Sequence, residues 1–164
     1  GADWIEWGSG STGWLYIYEM KNIKSELSGG EIQASYYGKN MDIDADFSIV
    51  RGIDKTNNAN LPFMPVDKFQ LTLSTKENRD LTTSIRFTKG FEQSRLGEFE
   101  TTTPGYSLID IYGSYSFGSS NGNHRLIFNV NNILDEEYYN HLSKIKTIMP
   151  EFGRRISLQY RYLF

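Results

Sequence analysis

Apolar and polar residues alternate with a period of two along most of the chain, the spacing of a strand with two unlike faces. The end of the chain is the clearest case. From Arg155 to Phe164, Ile156, Leu158, Tyr160, Tyr162 and Phe164 share one face, while Arg155, Ser157, Gln159 and Arg161 share the other; only Leu163 breaks the pattern. Leu126, Phe128 and Val130 oppose Arg125, Ile127, Asn129 and Asn131. Ile109, Ile111, Tyr115 and Phe117 oppose Asp110, Tyr112, Ser114 and Ser116. Leu81, Thr83, Ile85 and Phe87 oppose Thr82, Ser84, Arg86 and Thr88, and Phe69, Leu71 and Leu73 oppose Gln70, Thr72 and Ser74. Met41, Ile43, Ala45, Phe47 and Ile49 oppose Asp42, Asp44, Asp46 and Ser48. Upstream, a longer and less regular strand is expected from Trp14 to Tyr37, with a bulge or bend at Gly29-Gly30. Residues 3 to 7 read as the tail of one more strand.

The connections alternate in length. Tyr37 to Asn40, Lys76 to Asp80 and Gly118 to Asn123 are short and polar, whereas 51–67, 92–105 and 135–154 are long and rich in Asn, Glu, Gly and Pro. Short turns at one end and long loops at the other mark an antiparallel membrane barrel. Soluble sandwiches and small ligand-binding barrels alternate in the same way, so periodicity alone does not choose. Two details favour lipid. The apolar face ends in aromatics (Phe69, Phe117, Tyr160, Tyr162, Phe164), and the polar face carries isolated charges in mid-strand, as a lumen would.

Composition sharpens this picture without deciding it. The 164 residues carry a net charge of −3, which argues against a nucleic-acid partner, and contain no cysteine, which removes disulfides and thiolate metal sites. Aromatic residues make up 15% of the chain, enough to supply interfacial girdles. No stretch reaches the roughly 20 apolar residues of a membrane helix, but a barrel strand shows lipid only every second residue. Gly1-Ala2-Asp3-Trp4 has no basic-then-apolar leader pattern; either a leader was removed or the true beginning lies upstream, and the second is the expectation.

No catalytic constellation appears, and no enzymatic activity or cofactor is expected. His124 and His141 fall in a turn and a loop, with no partner pattern. Asp42-x-Asp44-x-Asp46 begins like a calcium loop but has Phe47 where the sharp turn needs glycine. On an extended strand these carboxylates form an acidic row on the polar face, about 7 Å apart by strand rise.

Several short motifs, in order, resemble the C-terminal barrel of TonB-dependent outer-membrane receptors. They are Leu61-Pro62-Phe63-Met64-Pro65, Thr103-Pro104-Gly105-Tyr106, Asn131-Asn132-Ile133-Leu134-Asp135-Glu136-Glu137-Tyr138, Asn140-His141-Leu142-Ser143, and Pro150-Glu151-Phe152-Gly153-Arg154 leading to a terminal Phe164. Phe152, Val66 and Ile133 depart from the family pattern. With the strands, the resemblance spans nearly the whole chain. It implies an all-β fold: the last seven to eight strands of an antiparallel transmembrane barrel of roughly 22 strands, with residues 1–164 forming the C-terminal portion of that domain and the plug absent. It further implies a location in the outer membrane of a Gram-negative bacterium. The function implied is import of a scarce ligand, an iron-siderophore or other metal chelate, energised through TonB. The implied partners are membrane lipid, the plug and N-terminal barrel strands of the same receptor, the TonB complex and the barrel-assembly machinery. Arg95, Glu98, Phe99, His141 and Lys144 become candidate ligand contacts in extracellular loops. Tyr160, Tyr162 and Phe164 become the assembly signal, and Asn131, Asn132 and Asp135 are expected to cap backbone groups where the strand ends. The alternative is a small, complete, eight-stranded outer-membrane barrel with a structural or adhesion role.

Overall fold

The computed structural model describes residues 2–6, 14–18, 22–75, 80–119 and 122–163. The strands, in chain order, are β1 (Ala2–Glu6), β2 (Trp14–Tyr18), β3 (Ser25–Tyr37), β4 (Met41–Asp54), β5 (Ala59–Asn60), β6 (Lys68–Thr75), β7 (Leu81–Gly90), β8 (Tyr106–Ser119), β9 (Gly122–Asn131) and β10 (Arg155–Leu163). The described residues contain no helix. Seven strands form one antiparallel meander in the order β10-β9-β8-β7-β6-β4-β3, with β5 paired onto the end of β4. The sheet is open: β3 and β10 are its edges.

The ladder sorts the side chains with no change of parity. Residues directly opposite in an antiparallel pair share a face. One row therefore crosses all seven strands as Tyr36, Ile43, Leu73, Ile85, Ile111, Val130 and Ile156. The adjacent row, on the opposite face, reads Tyr37, Asp42, Ser74, Ser84, Tyr112, Asn129 and Ser157. A soluble sandwich would bury the first row against a second layer. Here no apolar side chain among the described residues is buried, and Ile156 and Leu158 are 74% and 75% exposed.

Three sequence expectations change. Trp14 to Tyr37 is not one strand: β2 pairs with β1 in a separate two-stranded sheet, registered from Ala2↔Tyr18 to Glu6↔Trp14, and β3 begins at Ser25. There is no bulge at Gly29-Gly30, because both glycines have single partners in the ladder (Val50 and Ile49). A Cβ at Gly29 would lie 2.5 Å from the Ile49 carbonyl oxygen, so glycine there serves a close backbone approach. Finally, residues 51–54 belong to β4, whose ladder with β3 runs to Asp54.

Short connections join β3 to β4, β6 to β7 and β8 to β9; long ones join β4 to β6, β7 to β8 and β9 to β10. In a meander this puts every long loop at one end of the sheet and every short turn at the other. At the turn end, Tyr115, Phe117, His124, Tyr160 and Tyr162 form an aromatic cluster, with Phe117 and His124 stacked at 4.8 Å and His124 Nδ1 2.7 Å from the Tyr160 hydroxyl. His124 thus belongs to β9 and faces with the apolar parity, although its place between the Gly118–Asn123 connection and the alternating run from Arg125 suggested a turn. Phe164 and residues 76–79, 120 and 121, which fall in two of the expected turns, lie outside the described residues.

Candidate functional site in the loop cluster

The long loops lock into one another through polar groups. Asp67, just before β6, accepts two hydrogen bonds from the Arg51 guanidinium at 2.6 and 2.7 Å and a third from Arg95 at 3.2 Å. The Arg51 bond, then its charge, holds the Asp67 carboxyl below the usual carboxylate range. Gln93, 1% exposed, bridges two loops: its amide donates to the carbonyls of Met64 and Pro65 at 3.1 and 3.0 Å. Its backbone exchanges a hydrogen-bond pair with Thr103. Gly97 sits against Pro62 so closely that no side chain would fit between these two loops.

Glu100 ties in all three. Its Oε1 accepts from the Phe63 amide at 2.7 Å and its Oε2 from the Gly97 amide at 2.8 Å. His141 Nε2 is 3.3 Å from the same Oε1, short of good hydrogen-bond alignment. The other ring nitrogen, Nδ1, meets Thr103 Oγ1 at 2.8 Å and Lys146 Nζ at 3.0 Å. An ammonium can only donate, so Nδ1 is the acceptor and the neutral ring carries its proton on Nε2. Burial, then the adjacent Lys146 charge, pushes the His141 pKa down, with Glu100 opposing. Lys146 also donates to Thr101 O at 2.6 Å and Thr103 Oγ1 at 2.9 Å, and burial lowers its pKa.

Backbone strain sits beside this carboxylate. Phe63 and Phe99 both adopt positive φ, 58° and 64°, which bulky residues rarely do. Asn132 (φ 51°) and Asp135 (φ 57°) tolerate that region better, and both cap as expected. The Asn132 side chain pairs with both backbone groups of Glu136, and Asp135 Oδ1 accepts from the Arg154 amide at 2.7 Å. Asn131 instead stays in the ladder opposite Arg155.

The five loop candidates separate by exposure. Glu98, Phe99 and Lys144 are exposed, Arg95 is half-buried against Asp67, and His141 is 2% exposed. Asp42, Asp44 and Asp46 occupy the polar face, where Ser35 Oγ donates to Asp44 at 2.6 Å. The register puts Arg86 on the Asp44 row, two strands and about 10 Å away. Tyr160 and Tyr162 lie exposed on the apolar face. Sequence reasoning passed over Gln93, Glu100, Thr103 and Lys146 as site residues. Only Thr103, inside the Thr-Pro-Gly-Tyr motif, carried a signal.

Between these loops and the polar face lies a cavity of about 400 Å³, lined among others by Lys68, Gln70, Tyr106, Tyr138, Asn140 and Glu151.

The fold has solved counterparts. The chain is similar to a structure of the copper transporter OprC, with a TM-score of 0.77 at 23% identity over 87% of this chain. It spans 24% of the length of that solved chain. In all, 32 solved chains match. No family model and no curated protein matches.

Proposed function

We propose that this chain is the C-terminal part of a transmembrane β-barrel in the outer membrane of a Gram-negative bacterium, in a receptor that imports a scarce metal chelate with energy from TonB. The observation carrying this reading is the apolar row that crosses all seven strands while no apolar side chain among the described residues is buried. Such a face needs an apolar solvent, and in lipid each unpaired backbone group costs several kcal/mol, so β3 and β10 need neighbouring strands. A barrel of roughly 22 strands, enclosing a plug, supplies them. The open path of the sheet favours this over a self-contained eight-stranded barrel. The ordered family motifs agree with it, and the name of the structural neighbour adds copper to the metals worth testing.

In this reading the polar face with Asp42, Asp44 and Asp46 lines the lumen, and the long loops are extracellular. Arg95, Glu98, Phe99 and Lys144 are loop contacts for the cargo, while His141 holds the loops together. Tyr160, Tyr162 and Phe164 are the signal for the barrel-assembly machinery. The action is transport, not catalysis.

The test uses the whole receptor that contains this chain, expressed in a Gram-negative host starved of iron or copper. It should fractionate with the outer membrane, show heat-modifiable electrophoretic mobility, and support uptake of a labelled chelate that a protonophore abolishes. Uptake unaffected by the protonophore, or a protein recovered in the periplasm, would contradict the proposal.

A further inference from the structure

Within the seven strands, the apolar parity carries three Lys, Arg, Asp or Glu residues among the described residues: Glu26 on β3, Arg51 on β4 and Lys89 on β7. All three lie toward the long loops. Two are paired: Glu26 meets Lys55 at 2.7 Å and Arg51 meets Asp67 at 2.6 Å. Lys89 is half-buried and has no carboxylate within ion-pair reach among the described residues. Its ammonium donates to Ser107 Oγ, directly opposite on β8, at 3.1 Å, which leaves two of its three N–H bonds without an acceptor among those residues. Its other neighbours in register are rings, with Phe69 opposite on β6 and Phe87 and Phe91 two residues to either side. Asp67 lies across from Phe91 but is already held by Arg51 and Arg95. Even with the exposed Glu92 counted, three cations here face two carboxylates.

The depth of Lys89 decides what can answer this charge. Its partner Ser107 and the ring of Phe117, in the aromatic cluster at the turn end, are ten residues apart on β8. That is about 34 Å along a strand. At a tilt of about 40° it spans about 26 Å, close to the roughly 25 Å apolar band of a membrane barrel. With the aromatic cluster at one boundary of the band, Lys89 stands at the other, at the headgroups of the loop-side leaflet. An ammonium deeper in hydrocarbon would be costly, whereas at this level it can meet a lipid phosphate. The geometry points to a site for the phosphate group of an anionic lipid on the outer wall between β7 and β8, with Lys89 as charge partner and Phe69, Phe87 and Phe91 beside the acyl chain. The turn-end rim of the same parity offers rings and no such cation, so the preference belongs to one leaflet. The inference rests on the apolar parity facing lipid, as proposed above.

The test titrates the whole purified receptor in mild detergent with phosphatidylglycerol, and separately with zwitterionic phosphatidylcholine, resolving successive bound lipids by native mass spectrometry. The wild-type receptor should bind its first phosphatidylglycerol more tightly than phosphatidylcholine. Lys89→Gln should weaken that first phosphatidylglycerol by roughly fivefold and leave phosphatidylcholine unchanged. Lys89→Arg, which keeps the charge, should preserve the preference. Arg86→Gln, which removes a cation from the polar face of the same strand, should also preserve it. Heat-modifiable mobility confirms that each variant is folded. A preference that survives Lys89→Gln, or that falls equally with Arg86→Gln, would overturn the site, as would a wild-type receptor that does not distinguish the two lipids. Each of these results leaves the barrel and its transport role intact; a receptor that fails to fractionate with the outer membrane would instead defeat the barrel reading.

Discussion

The seven-strand sheet and the loop cluster at its end hold together by opposite means. Along the strands, backbone ladders are regular, no apolar side chain of the described residues is buried, and cohesion within the described chain comes from strand pairing. In the loops, the most buried side chains are polar: Gln93 and Thr103 at 1%, His141 at 2%. An open sheet with one apolar face is incomplete in water and becomes complete in a barrel within lipid. A cluster of polar groups bonded mostly to one another can stand in water without an apolar core. The two regions are thus matched to two solvents.

Substitutions that carry the wrong chemistry into each region separate them. The largest effect is expected on the apolar face. Ile111→Arg or Leu158→Arg should destabilise the protein in lipid by roughly 2–4 kcal/mol where the site lies near the midplane. Ser157→Arg, one residue along β10 on the other face, should be mild. Urea unfolding in lipid vesicles would measure all three. Equal costs at 157 and 158 would remove the distinction between the faces. Ser114, which parity alone offers as a second mild site, is 4% exposed and is a poor comparator.

Next comes the loop cluster. Gln93→Ala leaves the Met64 and Pro65 carbonyls without their donor, a cost of about 1–3 kcal/mol. Hydrogen exchange should show lost protection at Phe63, Gly97 and Thr103, with the strand ladder unchanged. Protection lost uniformly through the sheet would mean that the two regions are not separable.

Asp67→Asn should cost about 1 kcal/mol, since its arginine partners are partly solvated. With the carboxylate pKa depressed in the folded state, this contribution is present above about pH 4 and disappears as pH falls through the folded value. The variant should therefore lose the acid-dependent part of loop protection. An unchanged pH profile would refute the role given to Asp67.

The smallest effect expected is the titration of His141. Its folded pKa is lowered, so the unfolded loop binds the proton more readily. Loop protection should be complete above about pH 6.5 and should weaken as pH falls through the depressed value. His141→Gln should flatten this dependence between pH values near neutrality and those of Asp67. A slope that survives the substitution belongs to another group.

The same contrast explains what was legible in the sequence. A period of two assigns faces without knowledge of partners, so the strands from Met41 onward and their apolar parity could be read directly. Where pairing is the deciding factor, the pattern fails. Trp14–Tyr18 and Ser25–Tyr37 look like one long strand because alternation cannot show that the first pairs with Ala2–Glu6. The double glycine suggested a bulge because the close approach of Ile49 is visible only in three dimensions. The loop cluster was the least legible. Glu100, Gln93 and Lys146 act through partners between 28 and 45 residues away, and no local spacing encodes such contacts. Tyr106 and Tyr138 did stand inside motifs, but their pairing depends on Gly90 and on how the β9–β10 loop folds back onto the start of β8.

The most direct test of a lipid-facing apolar parity is a residue-by-residue accessibility scan along β10. The chain has no cysteine, so single thiols can be placed at residues 156 to 161 and spin-labelled in the whole receptor, in a background without other thiols, reconstituted in lipid. Collision with oxygen, which concentrates in lipid, should peak at Ile156, Leu158 and Tyr160. Collision with a water-soluble nickel chelate should peak at Ser157, Gln159 and Arg161. Period-two alternation with that phase is the predicted result; oxygen and nickel profiles in phase with each other, or with the phase reversed, would contradict it.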